Sequence, residues 1–131
     1  MNLDERCNAV EECYEFMLAY AAQGLANDEG SLSPVREFLR RTVVALTGIA
    51  EAIAATGLQS AAFIAVVERD ARDSLAAIEL VLAQPAISSQ LIDNLNASIH
   101  LRALLTDLFL LDEIVKLQRA GLVEQDAKLS Q

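Results

Sequence analysis

Few residues in this chain are of a type that does chemistry, and their spacing decides what they can do. His100 is the single histidine, and the residues three and four positions before it are Ala97 and Asn96. The Glu-x-x-His pair that holds iron or manganese inside helical bundles is therefore absent, and such a centre needs two of them. Zinc-type spacing of histidine and cysteine is missing as well. A lone histidine on the polar flank of a helix is expected to be solvated. The two cysteines are Cys7 and Cys13. On one helix they point about 120° apart and lie roughly 9 Å from each other along the axis, so they do not bridge within it, and a reducing compartment suits them. Cys13 has no Lys or His on its helix face to lower its pKa, so packing or an interface is expected of it, not redox chemistry. The glycine-bracketed serine, phosphate-loop and dinucleotide-binding patterns do not occur, and one histidine without them makes no triad.

Carboxylates remain. Glu12-x-x-Glu15 and Asp70-x-x-Asp73 have the i, i+3 spacing that suits a magnesium ion. The pattern loosely resembles the all-helical nucleoside triphosphate pyrophosphatases, which place acidic pairs on adjacent helices. That resemblance implies a metal-dependent nucleotide-cleaving enzyme. The residues themselves read differently: Glu12 and Glu15 lie opposite the apolar seam of their helix, and no basic residues cluster nearby to hold a triphosphate. Arg36, Arg40 and Arg41 make a small basic spot beside Glu37, which reads as solvated ion pairs of little energetic weight. No catalytic, metal-binding or cofactor-binding residue is assigned, and no cofactor is expected.

The elements that must position these groups follow from composition. The chain has 131 residues and a net charge of −9. That length suits one domain. The acidity argues against a nucleic-acid partner, which needs a basic footprint, and against an anionic membrane surface. Hydrophobic residues make up 53% with no Trp, four Phe and two Tyr, so the apolar content is largely Ala and Leu, a helical composition. The opening "MNLDERCNAVEE" is acidic, unlike a signal or transit peptide. The apolar run 42–67 is interrupted by Gly48 and Gly57 and carries Glu51 mid-span. It reads as two buried helices meeting at a turn, not as a membrane span. A cytoplasmic protein is expected.

Helical periodicity recurs four times. Residues 3–23 show Leu3, Cys7, Val10, Tyr14, Met17 and Ala21 at spacings of four and three, capped by Asn2 and ended by Gly24. A polar loop, expected to be mobile, leads to a second helix capped by Ser33 with Pro34 at its first position. Its seam is Val35, Leu39, Thr42, Leu46, Ile49 and Ile53, and Gly57 stops it. The third helix spans about 59–83 and closes before Pro85. The fourth starts near Ser88 and runs to Ala120, as one helix with a kink at most near 94–98, and Gly121 stops it. Short links make these neighbours antiparallel. The expectation is an all-α, antiparallel up-down-up-down four-helix bundle with a long fourth helix, residues 1–120 forming one domain and 121–131 a frayed tail.

The fourth helix has two apolar faces. With Leu101 at 0° and steps of about 100° per residue, Ile92, Leu95, Ile99, Ala103, Thr106, Leu110, Ile114 and Leu117 form one stripe, and Leu101, Leu104, Leu105, Leu108, Leu111 and Val115 another. The first runs the whole helix and is the expected core seam, although either stripe satisfies the pattern. The second, together with Cys13, Phe16 and Tyr20 on the first helix, is the expected interface. Bare apolar patches of that size are rare, and a two-fold axis is the simplest cover. The sequence therefore suggests a non-catalytic helical-bundle protein, a homodimer, that works as an adaptor, regulator or chaperone through apolar helix surfaces, with another protein as a further partner. The alternative is a small apolar-ligand binder with a pocket between Ala- and Gly-rich helices, or the pyrophosphatase-like enzyme.

Overall fold

Asn2 opens the first helix. Its side chain accepts the Glu5 N–H at 2.9 Å, and Glu5 Oε2 accepts the Asn2 N–H at 3.2 Å, a reciprocal cap that satisfies two otherwise orphaned donors. Helix α1 then spans Leu3–Ala22. This is a computed structural model that describes residues 1–28 and 33–129, with the backbone alone for 122–127. Residues 29–32 of the polar loop, and Ser130 and Gln131 of the expected tail, lie outside the described residues. The remaining helices are α2 (Pro34–Leu46), α3 (Ile49–Ala54), α4 (Ala61–Leu82), α5 (Ser89–Asn96) and α6 (Ile99–Leu129). The protein is all-helical, with no strand among the described residues.

Among the described residues six helices stand where the periodicity implies four, because two of the expected helices are broken. The first break falls at Thr47 and Gly48. Thr47 is extended at ψ 119°, and Gly48 takes φ +80°, a left-handed conformation that a side chain disfavours. The carbonyls freed by the break are taken by Arg6 from α1, whose Nη1 donates to Ala45 O at 2.8 Å and Thr47 O at 2.6 Å. The same guanidinium anchors itself through Nε to Met1 O at 3.0 Å. Val35, Leu39, Thr42, Leu46, Ile49 and Ile53 are buried on both sides of this elbow, so the apolar seam survives it.

The second break separates α5 from α6 at Ala97 and Ser98, where the polar "NLNAS" weakens helix. Ser98 restarts it: its hydroxyl accepts the Leu101 N–H at 3.4 Å and its carbonyl accepts the Arg102 N–H at 3.2 Å. At the far end α6 does not stop at Gly121. A glycine ends a helix by turning left-handed, and Gly121 is not among the glycines with positive φ. The backbone continues helical to Leu129, so the described part of the expected tail extends α6.

Helix α1 packs chiefly on α2 and α5, α4 on α6, and α2 and α3 on α4. One continuous core joins them, with Met17, Leu39, Ile53, Ile78, Ile92, Leu104 and Leu111 sealed from water.

One end is tied by a buried polar knot. Asp28 Oδ2 accepts from Arg36 Nε at 2.6 Å and from Ser33 Oγ at 2.8 Å, while Oδ1 accepts the Ile87 N–H at 2.8 Å. Arg36 in turn donates to Leu82 O at 3.0 Å and Gln84 O at 2.8 Å. Ser33 begins α2 as expected, but its hydroxyl serves Asp28 and not the helix. Beside it, Tyr20 Oη donates to Ile87 O at 2.5 Å, and Ser89 Oγ donates to Tyr20 O at 2.7 Å. Burial alone would raise the Asp28 pKa, but the hydrogen bonds from Arg36, Ile87 and Ser33 hold the carboxyl well below the usual carboxylate range.

Candidate protein-interaction surface

The break at Ala97–Ser98 decides which stripe of the last helix faces inward. Ile92 and Leu95 of α5 are buried as expected. Across the break the helical phase resets by roughly half a turn, and Leu101, Leu104, Leu105, Leu108, Leu111 and Val115 turn into the core. These six, expected at an interface, are enclosed by their own chain. Carrying one helical wheel across a break in the helix put the inner and outer faces the wrong way round.

The α6 part of the stripe expected in the core is therefore left outside. Ile99 is 76% exposed, Leu110 50% and Leu117 62%, and Phe109, beside that stripe, is 54% exposed. Thr106 and Glu113 are exposed among them, and Ala103 and Ile114 are half-buried at the edge. Ile99, Ala103, Thr106, Leu110, Glu113 and Leu117 recur at spacings of four and three along one line of the helix.

The helix that carries this strip continues past the start of α4. His100 Nδ1 lies 3.8 Å from Asp73 Oδ2, and Asp107 lies against Asp70, so α6 runs antiparallel to α4. In that register the first turn of α4 falls opposite residue 116 or so. Residues 116–121 are exposed, and a side chain added at Gly121 would meet nothing within 4 Å. Arg119 reaches back to Asp4 at 3.8 Å between two exposed side chains.

The expected partner strip on α1 is used up within the chain. Cys13 and Tyr20 are buried, and Phe16 is half-buried, stacked on Phe38 at 4.3 Å and on Tyr20 at 6.2 Å between ring centroids. Cys13 and Phe16 join α1 to α2, Tyr20 joins it to the α4–α5 link, and none of the three extends the α6 strip. Both thiols are buried, in surroundings that disfavour the thiolate. Burial pushes Cys7 up to about 11, helped by the carboxylates of Asp112, Glu11 and Asp4. Burial also raises Cys13, against opposing contributions from Thr42 and Arg41.

The acidic pairs separate. Glu12 is ion-paired with Arg41 at 3.0 Å on the surface, and Glu15 is exposed. Asp70 and Asp73 face α6 instead. Among the described residues no group of three or more His, Cys, Asp or Glu is placed to hold a cation. Periodicity did not single out Asp107. It lies in a gap between the stripes, and its partner is on another helix. Burial first, and then a hydrogen bond and repulsion from Asp70, push its carboxyl up to about 7. Asp107 Oδ2 is buried without a hydrogen-bond donor, beside the like charge of Asp70. The Ala- and Gly-containing elbow does leave a cleft against α4, of about 240 Å³, lined by Leu46, Gly48, Glu51, Glu68, Arg72 and Leu75 and open to solvent.

No helix among the described residues is long and apolar enough to cross a membrane. Comparison of the chain with protein-family models, with curated proteins and with solved structures finds no match.

Proposed function

We propose that this is a non-catalytic protein of the cytoplasm that works by association, as an adaptor, regulator or chaperone, and that it is a homodimer. In this reading α2 with α3, and α5 with α6, each stand for one broken member of an up-down-up-down four-helix bundle. The observation that carries the proposal is the outward strip of α6. Fully burying a Leu or Ile side chain is worth about 1.5–3 kcal/mol, and Ile99, Leu110 and Leu117 lie half or more exposed along one line. Patches of this kind mark interaction sites more often than chance exposure does.

Sedimentation equilibrium of the full chain tests the reading. A dimer at tens of micromolar is expected, and Leu117→Glu should shift it towards monomer without changing the circular dichroism spectrum. A wild-type chain that remains monomeric and binds no apolar dye overturns it.

A further inference from the structure

We infer that the occupant of the α6 strip is a second copy of this chain, laid antiparallel with its two-fold axis near residue 108, so that Leu117 of each copy meets Ile99 of the other. The inference rests on the association reading above and specifies its geometry.

Three observations carry it. The first is register. Ile99, Ala103, Thr106, Leu110, Glu113 and Leu117 follow spacings of 4, 3, 4, 3, 4, which read the same in both directions. Turned end over end about residue 108, the strip meets itself with Ile99 on Leu117, Ala103 on Glu113 and Thr106 on Leu110. Each pair joins one kind of seam position to the other, the arrangement in which antiparallel helices interlock.

The second is charge. A chain of net charge −9 repels its own copies over most of its surface. On the outward arc of α6, Arg102 and Glu113 cancel, and Arg102 makes no ion pair with its own chain among the described residues. In the antiparallel register Glu113 lies across from the small side chain of Ala103, which leaves its carboxylate room to reach the neighbouring Arg102 of the other copy. A parallel pair would instead set Glu113 against Glu113 in the seam, where like charges oppose association.

The third is extent. Ile99 to Leu117 covers about 27 Å of helix. A strip of that length on both copies buries on the order of 1,000 Å² in total, the lower edge of what a specific interface needs.

The test combines association with cross-linking in the full chain. Ile99→Cys and Leu117→Cys replace exposed side chains, and the native Cys7 and Cys13 are buried, so the new thiols alone should oxidise. A mixture of the two variants should give a cross-linked dimer, and neither variant alone should, because like positions are about 27 Å apart in this register. Arg102→Glu and Glu113→Arg should each weaken dimerisation about tenfold, and the two together should restore it, as expected when an interfacial charge pair is exchanged. A dimer in which Ile99→Cys links to itself, or in which the mixture never links, overturns this geometry and leaves the association reading intact. A monomer overturns this geometry, and a monomer that also binds no apolar dye overturns the association reading with it.

Discussion

Arg36 Nε lies 2.6 Å from Asp28 Oδ2, with only 9% and 1% of the two side chains reached by solvent. Neither group has water to fall back on if the other is removed. Asp28→Ala should therefore destabilise the protein by about 3–5 kcal/mol, because it strands a guanidinium. Replacing both residues with apolar ones of similar size should cost far less. Urea midpoints for the two single variants and the double variant give the coupling directly.

Two carboxyls pull the pH profile in opposite directions. Asp28 is held low, so its contribution is full above the ordinary carboxylate value of about 3.9 and fades as pH falls below it. Asp107 is pushed up to about 7, so the folded state holds a proton that the unfolded chain gives up. Stability should fall as pH rises from about 4 to 7 and then level off. Asp107→Asn and Asp70→Asn should each flatten that slope in urea titrations run across the range, and the acid limb below pH 4 should remain.

Leu108 and Leu110 are two residues apart and lie on opposite faces. Leu108→Glu would bury an unpaired charge against Leu104 and Leu111 and should abolish the cooperative unfolding transition. Leu110→Glu changes a half-exposed side chain and should leave the fold intact while weakening association. One circular dichroism melt and one sizing run separate the two. If Leu108→Glu stays folded and Leu110→Glu unfolds, the assigned faces of α6 are reversed.

Cys7 and Cys13 are buried and their thiols raised, so the thiolate that attacks disulfide reagents is scarce and hidden. Neither should react with a chromogenic disulfide at neutral pH in the folded protein, and both should react at once in denaturant. Rapid labelling of one thiol under native conditions would show that its helix opens locally.

The sequence revealed most about the fold wherever periodicity stayed in phase. The seam from Val35 to Ile53 is buried as the spacing requires, even across the elbow, because Gly48 bends the helix without turning the apolar line outward. That continuity also hid the elbow: the seam ran on, and only the glycine marked the turn. In the last helix the phase did change. Ala97 and Ser98 reset it, and a wheel drawn through them carried Ile92 and Leu95 into register with Ile99 and Leu110, which face solvent. The surplus apolar face was legible, and its location was not. Asp28 with Arg36, and Asp70 with Asp107, were beyond reach for a different reason. Asp28 lies in the loop before α2, where no periodicity runs, and Asp70 and Asp107 lie on separate helices, whose contact no local spacing announces.

The knot around Asp28 has a further consequence for how this end of the protein opens. The Ile87 N–H donates to the carboxylate, and the Ser89 N–H donates to Leu25 O at 2.8 Å. Both amides belong to links or first turns that ordinarily exchange with solvent fastest. Here they are held by residues up to 64 positions away, so releasing either means parting α1, α2 and the α4–α5 link together. Their hydrogens should exchange with deuterium as slowly as those in the middle of α4, and at a common rate.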